Sequence, residues 1–285
     1  MNKVLSITVF YYPDSDIETR IISYADQVDA MLIVDNSDKP DLELHNHLIN
    51  KFKKLHIIAN GKNLGIARAL NQGLKYAFEN GYEYALLLDQ DSMLLPDTIG
   101  KLIRCLNTYK MAFIAAPWRI DINTAEKQIK KEFTERLTTA TSGSLLRLSY
   151  LNTIGYHDEK LFIDMVDHEY CLRACKKGFQ VIVVNNARMH HRLGKMQKKV
   201  VCGIPFYPTH HAAIRRYYKA RNGLYIWGKY LFKYPRFVIP GIINFCIEYI
   251  EIIMFEREKR KKTVAIIQGF YDCFRSHFGE KKIYE

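Results

Sequence analysis

Asp89 and Asp91 stand one residue apart at the end of an unbroken apolar run, in EYALLLDQDSMLLPD over residues 83–97. DQDS alone reads as a turn, because Asp and Ser favour turns and helix N-caps. At the mouth of a buried strand, however, two such carboxylates repel each other, and a hard divalent cation relieves that repulsion. Mg2+ and Mn2+ take oxygen ligands and share them between one or two carboxylates and substrate phosphates. The pair therefore points to a diphosphate-bearing ligand.

A second acidic group lies in LFIDMVDHEYCLRACKKGFQVIVV, residues 161–184. Asp164 can cap a helix whose first turn holds Asp167, while Lys176, Lys177 and Gly178 form an ordinary C-terminal end. The helix dipole favours the anionic form of a carboxylate in that first turn. Asp167 could then accept a proton from an attacking hydroxyl, assistance typically worth ~10²–10⁴-fold in rate. Glu169 is a candidate for the acceptor or phosphate side, with an ion pair to Arg173 four residues on as its alternative. After FQVIVV the chain reads NNARMHHRLGK. His190 and His191 thus follow a strand end, where an imidazole can join a carboxylate-bound divalent ion; a structural role is equally open for them.

These groups need a scaffold, and the chain alternates in the way that supplies one. VLSITVFYY reads as a strand, residues 17–26 as a helix, and AMLIVDNSD and KLHIIANG as further strands. Between about residues 66 and 79, Ala67, Leu70, Leu74, Ala77 and Phe78 recur at helical spacing before Gly81. YALLLDQD follows. Strands apolar on both faces, alternating with helices, imply an α/β fold with a mostly parallel sheet covered on both sides. Ligands bind beyond the carboxyl ends of such strands, and Asp35, Asn36, Asn63, Asp89 and Asp91 all fall there. GKNLGIARALNQG, residues 61–73, could offer backbone and amide donors to a nucleotide, or serve as a loop with a helix N-cap. Arg68 lies in the first turn of that helix and is open to a phosphate or to solvent.

The 285 residues are 48% hydrophobic and 25% charged, a globular composition. Residues 196–285 hold seventeen Lys and Arg against seven Asp and Glu, so ten of the twelve net positive charges sit in the last third. Such a surface suits anionic lipids, phosphorylated ligands or nucleic acid. The six cysteines show no zinc-type spacing and read as reduced thiols of a cytosolic protein. MNKVLSITVFYYP reads as a first strand rather than a signal peptide. RRYYKARNGLYIWGKY, residues 215–230, interleaves basic and aromatic side chains. That pattern suits nucleic-acid grooves and membrane interfaces, or an amphipathic helix packed on the protein; Arg216 and Arg221 are candidates on the acceptor or phosphate side. FVIPGIINFCIEYIEIIMF carries Glu248 and Glu251 in its middle, costly in a spanning helix. With EREKRKK and VAIIQGFYDCF after it, the stretch is expected to rest on an anionic membrane surface, with core packing as the competing reading.

The ordered set VDNSD, NLGIARALNQGL, LLLDQDS, FIDMVDHEYCLRA, HRLG and RRYYKARN resembles the family 2 glycosyltransferases of GT-A fold, most closely their bacterial rhamnosyltransferase-like branch. The resemblance spans roughly residues 3–225. It implies a Rossmann-like catalytic domain over 1–200, with residues 201–285 as a mainly helical C-terminal extension. It implies Asp35 at the nucleotide base, Asp89 on the ribose side, Asp91 on the metal (Mg2+ or Mn2+), Asp167 as catalytic base, and His191 beside the pyrophosphate or metal. Many members carry Glu-Asp at the base motif, where this chain has Val166-Asp167. The expected activity is inverting transfer from a nucleotide sugar, dTDP-rhamnose or a UDP-hexose, to a lipid-linked saccharide. The expected place is the cytoplasmic face of the bacterial inner membrane, as a peripheral protein. A basic nucleic-acid-binding protein is the alternative from another class, although no helix-turn-helix or RNP-like signature is present. A nucleotidyltransferase would carry a glycine-rich loop where this chain has FYYPDSD.

Overall fold

The computed structural model describes residues 3–121, 131–191, 199–201 and 203–281. The chain divides into two compact units. The first, Met1–Glu159 with Val166–Arg192, is built on a sheet; the second, Lys160–Met165 with Leu193–Glu285, is mainly helical.

In the first unit the strands are β1 (Val4–Phe10), β2 (Ala30–Asp35), β3 (Leu55–Ala59), β4 (Tyr84–Asp89), β5 (Met93–Leu94), β6 (Ala112–Asp121), β7 (Phe133–Arg136), β8 (Leu145–Arg147) and β9 (Gln180–His191). The helices are α1 (Ile17–Ala25), α2 (Leu42–Lys51), α3 (Ile66–Glu79), α4 (Thr98–Thr108), α5 (Leu151–Ile154) and α6 (Val166–Lys176). The sheet runs β3-β2-β1-β4-β8-β6-β9-β5, with β7 also on β9. β3, β2, β1 and β4 are parallel neighbours, as are β6 and β9, whereas β8 is antiparallel to β4 and β6. The sheet is therefore mixed and mostly parallel.

Side chains alternate across a strand, and here both alternating sets are apolar. Phe10, Met31, Ile33, Leu86 and Leu88 join the core with α1 and α4 on one face. Leu5, Ile7, Leu32, Val34 and Leu87 join the core with α3 and α6 on the other. Gly73 allows α3 to settle closely, because a Cβ there would stand 2.3 Å from Ile7 Cγ2. Cys171 lies in the second core and Cys105 in the first, where burial pushes its thiol up to about 12.

The second unit holds a short hairpin, β10 (Lys199–Val201) and β11 (Ile204–Phe206), and three helices, α7 (Ala213–Tyr230), α8 (Pro235–Phe255) and α9 (Lys259–Phe274). α9 crosses α7 at Gly269, where a Cβ would meet the Tyr217 carbonyl oxygen at 2.5 Å.

Candidate functional site

The carboxyl end of β4 is braced on both sides. Gln90 accepts a bond from the Tyr11 N–H at 2.8 Å, and its own carbonyl accepts from Arg20 at 3.2 Å. Ser92 and Ser142 join their hydroxyls, and the Asp89 N–H donates to Ser142 Oγ at 3.4 Å. Ser142 is delivered by the turn into β8, where Gly143 adopts φ +84 and donates to the Leu87 carbonyl at 2.8 Å. A Cβ at Gly143 would lie 2.5 Å from Met189 Sδ, so the turn needs glycine on both counts.

Arg119, on β6, gives this rim its centre. Its guanidinium donates to the Ser142 carbonyl at 3.3 Å. Burial draws it below the ordinary arginine value, opposed by the charges of Asp89, Asp167 and Asp91. Asp89 and Arg119 thus both bond Ser142, and the charges of Asp91 and of Asp167, in the first turn of α6, act toward the same guanidinium. The sequence reading missed Arg119, whose only signal is a charge closing the apolar run AFIAAPWR.

Asp167 lies in the first turn of α6 and its Oδ1 accepts from the His168 N–H at 2.8 Å. Asp164 was expected to cap this helix. It instead takes a left-handed φ of +62, like Phe162 at +62 and Met165 at +64. Such conformations are costly outside glycine and persist only where the surroundings over-determine them. The Asn222 amide supplies that constraint, donating to the carbonyls of Leu161, Ile163 and Asp164 at 2.8, 2.7 and 3.0 Å.

Asp35 and Asn36 end β2 and are buried. Asp35 bonds His45 Nε2 at 2.8 Å and accepts from the Ser37 N–H at 2.8 Å. Asn36 donates to the Gly65 carbonyl at 3.1 Å, and Asn63 Oδ1 accepts from the Gly65 N–H at 2.9 Å. These residues tie the β2 loop to the start of α3. Arg68 is exposed in the first turn of α3.

Three expected site residues are turned inward. Glu169 is fully buried and bound by Arg173 at 2.8 Å, which also donates to the carbonyls of Ile154 and Tyr156. Arg216 is 2% exposed, paired with Glu248 at 2.7 Å and Glu256 at 2.8 Å. Arg221 is 1% exposed and donates to the carbonyls of Gly279, Lys160 and Leu161. Each is engaged by partners of its own unit. With Tyr217, Tyr218, Trp227 and Tyr230 also buried, much of the basic-aromatic stretch packs within the helical unit, while Arg215 and Lys229 stay exposed.

The histidines do not follow β9 but end it. β5 pairs antiparallel with β9, Met93 opposite His190, so the backbone carrying Asp91 approaches the end of that strand. His190 Nδ1 is buried with no hydrogen-bond partner among the described residues. The ligand role expected of the His191 side chain, and the rest of HRLG, lie outside the described residues. No three of His, Cys, Asp and Glu form a metal-ligating group among the described residues. By donor type, the two strand-end carboxylates Asp89 and Asp91 suit a hard divalent ion that takes its remaining ligands from phosphate and water.

A family model, glycosyl transferase family 2, matches residues 7–171. The dTDP-rhamnosyl transferase RfbF of Shigella flexneri is 32% identical over 246 residues, 80% of this chain and 81% of that protein. Among solved structures, S. aureus TarS 1-349 superposes with a TM-score of 0.62 at 15% identity, over 95% of this chain and 80% of that one. GalNAc-T7 with UDP, GalNAc and Mn2+ gives 0.58 at 14% identity, over 70% of this chain and 44% of that one. At such identities the solved structures speak for the fold alone.

Proposed function

The chain belongs to glycosyl transferase family 2, and from that membership and the acids gathered around Arg119 we propose that it transfers rhamnose from dTDP-rhamnose to a lipid-linked saccharide. The acceptor would belong to cell-surface polysaccharide synthesis, at the cytoplasmic face of a bacterial inner membrane. One arrangement carries the reading: Ser142 ties the Asp89 backbone N–H to the Arg119 guanidinium, the cation toward which the charges of Asp89, Asp167 and Asp91 act. The donor is supported by the relative described as a dTDP-rhamnosyl transferase.

The reaction proposed is a single displacement with inversion. The acceptor oxygen attacks the anomeric carbon, the bond from that carbon to the diphosphate oxygen breaks with its electron pair, and the hydroxyl proton passes to a carboxylate oxygen of Asp167. Asp167 is oriented for this by its bond from the His168 N–H. Arg119 is a fixed cation at the rim where leaving-group charge grows, and such preorganised charge acts without reorganising. Asp91 and Asp89 would hold Mg2+ or Mn2+, with His191 as the further ligand expected from the sequence. A divalent ion there would neutralise the departing diphosphate.

The test is a panel of nucleotide sugars read by thermal stabilisation with Mn2+, since a ligand of the folded state raises the melting temperature. The largest rise is expected with dTDP-rhamnose. A larger rise with a UDP-hexose reassigns the donor, and no response to any nucleotide sugar overturns the reading.

A further inference from the structure

Among the described residues one helix, α8, is long and apolar enough to cross a membrane, with 21 residues, a mean hydropathy of 1.8 and 17% of its apolar window buried. Its two central acids bear on which membrane geometry it can adopt. Glu248 faces the helical unit, paired with Arg216 at 2.7 Å and Lys219 at 2.6 Å, and Glu251 accepts from the Tyr207 N–H at 2.6 Å. On the same inward side, Val238 and Ile252 are buried, and Phe245 packs on Trp227 and Phe270. The outward stripe is a different surface. Ile239, Ile243, Ile247, Ile250 and Met254 recur every three to four residues, and all are exposed, Ile243 to 53%. α9 adds Ile267, Tyr271 and Phe274, also exposed.

A contiguous apolar face of this size marks a contact surface, and the charges at its ends identify the occupant. Lys233 and Arg236 flank the start of α8; Arg257, Lys259, Arg260 and Lys261 flank its end, all exposed. A second copy of the chain laid on this face, parallel or antiparallel, would bring basic ends against basic ends. A spanning orientation would carry Arg216 and Lys219 into hydrocarbon with their partner Glu248, or strip that pairing, and both are costly. It would also send one of the two basic clusters across the membrane. An anionic leaflet meets the apolar stripe and both clusters at once, provided the helix lies flat.

We infer that α8 lies in the plane of an anionic lipid surface, its isoleucine stripe inserted at the headgroup boundary and its basic ends on lipid phosphates. Glu248 and Glu251 stay on the protein side. The inference rests on the helical unit alone and stands apart from the sugar-transfer reading.

The test is flotation of the full chain with vesicles of phosphatidylcholine alone or mixed with phosphatidylglycerol, with size-exclusion light scattering in parallel. The wild type is expected to float with the anionic vesicles, weakened but not released by salt. Ile243→Glu with Ile247→Glu should cut that partitioning by about tenfold or more, with the thermal melt unchanged because both positions face outward. Lys259→Glu, Arg260→Glu and Lys261→Glu together should remove the preference for anionic lipid. The inference is overturned by a wild type that stays in the unbound fraction, by isoleucine variants that float as well as the parent, or by a wild-type dimer that those variants split.

Discussion

Replacing Arg119 by glutamine removes the cation toward which the charges of Asp89, Asp167 and Asp91 act. We expect kcat/KM to fall by about 10²–10³-fold, the usual cost of losing a preorganised charge-stabilising donor. The same variant should gain more melting temperature from Mn2+ than the wild type does, because metal then takes over the neutralisation. An equal gain in both proteins would separate Arg119 from the acid group. Asp91→Asn should remove the Mn2+-dependent part of nucleotide-sugar stabilisation; a variant that keeps it would move the metal elsewhere. Asp167→Asn should bind donor as before while turnover drops by about 10²–10⁴-fold, and near-normal turnover would eliminate it as the base. The acids were legible in the sequence because strand-end position and local spacing survive in one dimension. Arg119 was not, since its partners lie about thirty positions before it and about fifty after it in the chain, and only β-sheet pairing brings the segments together. The inward turn of Glu169, Arg216 and Arg221 escaped for the same reason: their competitors for charge come from other turns and helices.

At the level of elements, periodicity recovered what is regular. The helix expected at 66–79 is α3, and the strands ending at Asp35 and Asp89 end there. β9 runs past FQVIVV to His191 because pairing with β6 and β5 extends it through polar residues that carry no strand pattern of their own. Asp164, expected as a helix cap, sits instead in a loop with left-handed Phe162, Asp164 and Met165 whose carbonyls are held by Asn222, a long-range constraint that no local propensity records. Helix crossings are likewise set by single contacts. Gly269→Ala should push α9 off the α7 backbone, costing about 1–3 kcal/mol as overpacking does. Gly228→Ala in α7, where a Cβ meets nothing within 4 Å, should be neutral or stabilise by up to ~1 kcal/mol through helix propensity. Comparing the two melting temperatures checks the crossing: equal shifts would mean that α7 and α9 do not touch at Gly269.

For the molecule as a whole, each unit carries a histidine whose imidazole the fold holds neutral, which makes the protein acid-sensitive. His157, in the sheet unit, stacks on Tyr170 at 3.9 Å, and its backbone N–H donates to Asn71 Oδ1 at 2.8 Å. Burial takes its imidazole from 6.5 down to about 3, with Arg173 pushing the same way and Glu169 opposing. His211, in the helical unit, falls to about 4 through burial and then Arg215, Arg216 and Lys219. In each case the unfolded chain takes up a proton near pH 6.5 while the folded chain does not. The unfolded state therefore binds more protons, and stability must fall as pH drops below about 6.5. For His157 the slope approaches ~1.4 kcal/mol per pH unit until the pH nears its folded value. His211, partly exposed, adds the same sign over the shorter window. Burial raises Glu248 and Glu256, yet Lys219 and Arg216 at the first, and Lys262, the His210 N–H and Arg216 at the second, outweigh it and hold both below the ordinary 4.5. Those carboxylates cost stability only further into acid, which leaves the interval between about pH 6.5 and 5 to the histidines. Melting temperature should decline through that interval in the wild type. His157→Gln should start lower and decline less steeply, because one of the titrating groups is gone. A melting temperature that stays level from about pH 7 to 5 would mean that neither imidazole is held neutral by the fold.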